Sequence, residues 1–163
     1  MTRCYQSLRR IGTDNLQALA ITKEVHVFIG PTGTGKSHAA WQLAGYDAYP
    51  KDPRTKFWDG YNGQKNVVID EFRGGIDIAH MLRWLDKYPV IIEVKGSSRA
   101  LSVEKIFITS NLEPHLWYPD CDLATIQALE RRLNVTVMDQ VYVTPTPPTQ
   151  QMQDDALCEY DFE

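Results

Sequence analysis

The residues Gly30, Pro31, Thr32, Gly33, Thr34, Gly35, Lys36 and Ser37 match G-x-x-x-x-G-K-[ST] at every fixed position. Glycines at these places let backbone N–H groups close around phosphate oxygens, and the positive end of a following helix adds to the field. Lys36 has the charge and reach for the β and γ phosphates of ATP, and the Ser37 hydroxyl suits Mg²⁺. The plainer reading, a glycine-rich turn that binds nothing, is disfavoured by a predicted strand before the loop and a predicted helix after it.

Farther along, Val67-Val-Ile-Asp-Glu71 is an apolar run ending in two acids. Beside a phosphate loop, Asp70 can support Mg²⁺ through its water shell, and Glu71 can polarise an attacking water. Ile106-Phe-Ile-Thr-Ser-Asn111 is a second apolar run with a polar end. If its strand lies beside the other two, Asn111 can sense the γ phosphate or hold the lytic water. Alone, Asn111 is equally a turn former.

These residues need a scaffold. The chain has 163 residues, of which 43% are hydrophobic and 23% charged, and this is the composition of one globular domain. No run approaches membrane-spanning length, and Met1 to Arg10 lacks a secretory apolar stretch, so a chain that is neither secreted nor membrane-bound is expected. Cys4, Cys121 and Cys158 are far apart, which supports neither disulfides nor zinc.

Net charge is −4, but residues 144–163 hold five acids and no Lys or Arg. The remainder has 17 basic and 16 acidic residues, so local clustering must decide any nucleic-acid contact. We expect three parts: a polar leader over residues 1–22, helical around Leu16 to Ile21; a domain over residues 23–143; and a Pro-rich, acidic, disordered tail over residues 144–163.

Val25 to Ile29, Val67 to Ile69, Val90 to Val94 and Ile106 to Ile108 read as buried strands of a sheet. Ile78, Met81, Leu82 and Leu85 make one helical face that ends before Pro89, and Asp122 can cap a helix with Ile126, Leu129 and Leu133 inward. The expected fold is therefore α/β, with a largely parallel sheet flanked by helices.

The order of Gly30 to Ser37, Asp70-Glu71 and Thr109 to Asn111 resembles the superfamily 3 helicases of small DNA and RNA viruses, an AAA+-like class of P-loop NTPase. More closely, Phe57-Trp-Asp-Gly-Tyr61, Tyr88-Pro89, Glu93-Val-Lys-Gly96, Ile108 to Asn111 and Leu129-Glu-Arg-Arg-Leu133 resemble the C-terminal half of circovirus-type replication-associated proteins. The similarity runs from about Val25 to Val143.

The resemblance implies an ATP-hydrolysing helicase that works on single-stranded nucleic acid, with DNA favoured over RNA. It implies Asn111 as the sensor, Arg132 as the arginine finger with Arg131 as the lesser choice, and a homo-oligomeric ring, a hexamer, in which the finger serves the neighbouring subunit. Lys95 matches a DNA-contacting lysine on a central hairpin. The host nucleus is the expected compartment for a eukaryotic DNA virus, and the cytoplasm otherwise.

The family also carries an endonuclease domain with a metal-binding histidine pair. This sequence holds no His-x-His, so nicking is not carried over. Plainer readings stand beside these: Arg131 and Arg132 can neutralise carbonyls at a helix end, Lys95 can be an exposed turn cation, and Phe57 to Tyr61 can simply pack. At the level of function the alternatives are an RNA helicase of the same class, a P-loop kinase of small metabolites, and a nonenzymatic interaction module.

Overall fold

The β-branched runs do form strands, and their burial alternates in a way that explains the layers. In β1 (Glu24–Ile29), Val25, Val27 and Ile29 pack in one apolar cluster while Phe28 packs in another. Successive side chains point to opposite sides of a strand, so β1 must be covered on both faces.

The computed structural model describes residues 17–143 of the chain. Five strands make one sheet in the order β2 (Tyr49–Pro50), β3 (Asn66–Ile69), β6 (Lys105–Ser110), β1, β7 (Asn134–Val137). Every pairing within it is parallel. Helices of the chain cover the two faces, as the α/β expectation requires.

On one face lies α1 (Lys36–Ala44), whose Ala40 and Ala44 pack with Phe28, Val68 and Phe107. The other face takes α2 (Ile78–Leu85) and α3 (Leu123–Glu130), which contribute Met81, Trp84, Leu85, Ile126 and Leu129 to the larger cluster. Both of these helices start on side-chain caps. Asp77 accepts from Ala79 N–H and Asp122 accepts from Thr125 N–H, which satisfies N–H groups that the helix itself cannot.

The segment Val90 to Val94 departs from the expectation. Its strand, β4 (Ile91–Val94), pairs antiparallel with β5 (Ser97–Ala100) in a separate hairpin and does not join the main sheet. Ile92 and Val94 are buried while Ile91 and Glu93 are exposed, so the segment has only one apolar face. A sheet interior covered on both sides would have no place for Glu93.

The expected helix near Leu16 to Ile21 is also corrected. Gln17 to Ile21 have no regular secondary structure, and Leu16 lies outside the described residues. Ile21 N–H is spent on Lys87 O at 2.9 Å, a tertiary bond that replaces the helical one. The acidic tail over residues 144–163 lies outside the described residues. No helix among the described residues is long and apolar enough to cross a membrane.

Candidate nucleotide site and the Lys95 hairpin

Parallel strands end at the same edge of the sheet, and that is where the chemistry collects. β1 runs into Gly30 to Gly35, β3 runs into Asp70-Glu71, and β6, which lies between them, runs into Asn111. Thr32, Gly33, Gly35, Lys36, Ser37, His38, Glu71, Thr109, Ser110 and Asn111 line one cavity of about 230 Å³.

The loop is held by its own side chains. Thr34 Oγ1 donates to Pro31 O at 3.0 Å, and Lys36 Nζ donates to Gly30 O at 2.8 Å and Pro31 O at 2.5 Å. Gly35 enters α1 at φ +79°, a left-handed conformation that glycine adopts without a Cβ penalty. Burial lowers the Lys36 pKa below the ordinary lysine value, with the charges of Asp70 and Glu71 opposing the shift. Lys36 has two carbonyl partners and, among the described residues, no carboxylate contact, which leaves it able to exchange carbonyls for phosphate oxygens.

Ser37 and Asp70 are brought together across β6. Ser37 Oγ donates to Asp70 Oδ1 at 2.7 Å, and the Thr109 hydroxyl donates to the same carboxylate oxygen. Thr109 Oγ1 also accepts from Glu71 N–H at 2.9 Å, so one buried hydroxyl on the middle strand fixes both acids. Among the described residues, Glu71 is the one non-glycine residue with positive φ, at 53°. Such backbone strain costs on the order of 1–3 kcal/mol and collects where a site dictates geometry.

Ser110 continues the clamp one residue on. Its hydroxyl donates to Phe72 O at 2.7 Å and accepts from Leu112 N–H and Trp117 Nε1–H, each at 3.0 Å. In the sequence Thr109 and Ser110 stand out only as parts of a motif. The available signal was their hydroxyls inside a buried strand, since a buried polar side chain demands a partner.

The donor set fits Mg²⁺. Among the described residues there is no cluster of three or more His, Cys, Asp or Glu that could cage a metal. A Ser37 hydroxyl beside one Asp70 carboxylate offers hard oxygens, and Mg²⁺ is commonly held by one or two carboxylates together with water and substrate phosphates. A second cavity of about 560 Å³ adjoins the acids and is lined by Pro53, Arg54, Asp70, Glu71, Arg73 and Gly75. Sequence reasoning did not single out Arg54 or Arg73.

Two expected site residues stand away from the cavity. At the end of α3, Arg132 forms an ion pair with Asp86 at 2.8 Å and donates to Ala128 O. Arg131 Nε donates to Gln127 O at 3.1 Å. Within one chain, then, both arginines bind carbonyls at a helix end, and the hydrogen bond from Arg132 holds the Asp86 carboxyl below its usual range.

Lys95 lies in the turn between β4 and β5 with its side chain 77% exposed. Its backbone N–H donates to Asp59 Oδ1 at 2.8 Å, and its ammonium is 3.4 Å from Asp59 Oδ2. Phe57 to Tyr61 thereby acquires a structural purpose. Trp58 N–H donates to Glu93 O at 2.9 Å, and its buried ring stacks 5.5 Å from Tyr49 and meets Trp84 edge-on at 5.0 Å. The motif anchors the base of the hairpin to the core. Its aromatic residues signalled packing, but the pairing of Asp59 with Lys95 was not legible without the fold.

A family model described as RNA helicase matches residues 26–112, just over half of the chain. The replication-associated protein of Porcine circovirus 2 is 42% identical over 114 residues, covering 69% of this chain and 36% of the relative. That of Goose circovirus is 43% identical over 111 residues, covering 68% and 37%. The genome polyprotein of Salivirus A is 33% identical over 130 residues, covering 69% of this chain and 6% of the polyprotein. The chain thus spans little more than a third of the length of these circovirus relatives.

Proposed function

The chain belongs to the RNA helicase family, and on that premise we propose that it hydrolyses ATP to translocate along one strand of DNA and unwind the duplex during rolling-circle-type viral replication. The observation that carries this reading is the hydrogen-bonded set Ser37, Asp70 and Thr109 beside Lys36, with Glu71 and Asn111 on the same cavity. Bound Mg²⁺ supplies charge neutralisation on the phosphates.

In this proposal Gly30 to Ser37 cradle the phosphates, Lys36 turns from loop carbonyls to the β and γ phosphates, and Ser37 and Asp70 hold Mg²⁺. Glu71 accepts a proton from the attacking water, and Asn111 orients that water or the γ phosphate. Arg132 leaves Asp86 to reach the nucleotide of a neighbouring subunit in a ring, taken as a hexamer. Lys95 tracks the phosphate backbone.

DNA is the favoured track because the sequence carries the circovirus-type motifs, and the host nucleus is the compartment proposed with it. An RNA track draws support from the description of the matching family. Stimulation of ATP hydrolysis by single-stranded DNA but not RNA selects the first, and the converse selects the second. A small-molecule kinase would have no use for the Lys95 hairpin, and a nonenzymatic module would have none for Glu71.

The test is ATP hydrolysis by Lys36→Ala against the parent. The variant is expected to stay folded and to lose turnover. A rate within about threefold of the parent, less than the ~1.4 kcal/mol of a tenfold loss, would remove the active-site assignment.

A further inference from the structure

The chain that leaves β7 does not turn away from the phosphate loop but is laid across it. Met138 N–H donates to Ile29 O at 2.7 Å, and Tyr142 N–H donates to Gly33 O at 3.0 Å. A Cβ at Gly30 would stand 2.0 Å from Met138 O, and one at Gly35 would stand 2.8 Å from Tyr142 Cβ and Cγ. The loop therefore uses two glycines to admit this strap as well as to shape itself for phosphate.

The strap delivers an aromatic ring. Tyr142 lies 4.7 Å from His38, centroid to centroid, with the planes 36° apart. His38 directly follows Ser37 and lines the nucleotide cavity. Tyr142 is 37% exposed and His38 is exposed, so both residues reach solvent beside the loop. Its partners Gly33, Gly35 and His38 belong to the loop side of the cavity, whereas the hydrolytic groups Asp70, Glu71 and Asn111 come from the ends of the other strands.

We propose that His38 and Tyr142 form the base-binding face of the nucleotide site, against which the flat base of a nucleoside triphosphate stacks. The inference rests on the nucleotide reading of Gly30 to Ser37 and adds to it the group that distinguishes a nucleotide from bare phosphate. A triphosphate gripped by Lys36 and Ser37 must extend its ribose and base away from the end where Glu71 meets the γ phosphate. The aromatic pair lies on that side of the loop, because Tyr142 follows β7, which borders β1 on the edge away from β6 and β3. Stacking is indifferent to base identity because every base has a π face, so ATP and GTP are accepted alike.

The experiment measures binding of the Mg²⁺ complexes of ATP and of inorganic tripolyphosphate to the full chain and to Tyr142→Ala, Tyr142→Phe and Lys36→Ala. Tyr142→Ala is expected to weaken ATP by about tenfold, within the range of base–aromatic stacking, and to leave tripolyphosphate unchanged. Tyr142→Phe keeps the ring and the parental affinity. Lys36→Ala weakens both ligands. The proposal is overturned if Tyr142→Ala binds ATP as tightly as the parent, if it weakens both ligands equally, which makes the strap a support for the loop, or if it binds ATP more tightly, which makes the ring an obstruction. Unchanged binding of both ligands by Lys36→Ala would instead remove the loop assignment itself, and this inference with it.

Discussion

The Ser37 hydroxyl donates to Asp70 Oδ1 at 2.7 Å although 33 residues separate the two. β6 lies between their strands, and Thr109 on it completes the contact by donating to the same oxygen while accepting from Glu71 N–H. Thr109→Val keeps the shape but removes the hydroxyl, which leaves Glu71 N–H without that acceptor. We expect a loss of about 1–3 kcal/mol in unfolding free energy and a fall in turnover of at least about tenfold. Denaturant unfolding and the ATPase rate check the two parts. Parental turnover in a destabilised variant would mean that the geometry of the acids does not limit hydrolysis.

Much of this arrangement could be read before the fold was known, for a physical reason. Gly30 to Ser37 and Asp70-Glu71 are contiguous, and each contains its own chemical logic. Val67 to Ile69 in β3 and Ile106 to Ile108 in β6, buried on both faces, announce themselves as continuous apolar runs. What escaped was relational. β7 alternates polar and apolar residues over only four positions, all of them exposed, and the two-residue β2 is too short to show a pattern. Val90 to Val94 is as apolar as a sheet strand, yet Glu93 marks its one-sided burial. The roles of Thr109 and Asp59 depend on partners distant in sequence, Asp70 and Lys95, and no local pattern encodes such a pairing.

The structural role of Arg132 and its proposed role as a finger can be separated. Its half-buried pair with Asp86 joins the ends of α2 and α3, and removing one partner costs on the order of 1 kcal/mol. If Arg132 is a finger, Arg132→Ala hydrolyses ATP at least about a hundredfold more slowly, whereas Asp86→Ala, which frees the arginine, keeps turnover. Mixing Arg132→Ala with Lys36→Ala should then restore some activity, because an intact Lys36 site can sit beside an intact Arg132. An equal loss in Asp86→Ala and Arg132→Ala would reduce the arginine to a brace.

Lys95→Ala should keep basal ATP hydrolysis and lose both nucleic-acid stimulation and unwinding. A phosphate contact releases counterions, so the salt dependence of binding should also flatten by more than one contact per assembly, since each subunit of a ring loses its lysine. Asp59 holds the turn through the Lys95 backbone, and Asp59→Ala should therefore impair stimulation as well. Unwinding at the parental rate with the parental salt slope would make Lys95 an ordinary surface cation.

Lys51 supplies a pH-dependent prediction. It is buried beneath Trp58 and Trp84, and desolvation lowers its pKa from 10.5 to about 8 despite the charges of Asp52 and Asp59. Between those values the unfolded chain binds a proton that the folded chain has released, so stability rises with pH over that window. The cost of burying the cation is present in full below pH 8 and is relieved as pH climbs. The difference in unfolding free energy between the parent and Lys51→Met should move in the parent's favour by about 1–3 kcal/mol from pH 7 to pH 10. A flat difference would contradict this.

The ATPase rate per chain, measured against protein concentration with and without single-stranded DNA, tests the motor most directly. If Arg132 completes the site of a neighbour, the rate per chain must rise as subunits associate, and single-stranded DNA must raise it further. Lys36→Ala should show neither effect under the same conditions. Folded parent protein that hydrolyses no ATP at any concentration, with or without DNA, would contradict the motor reading.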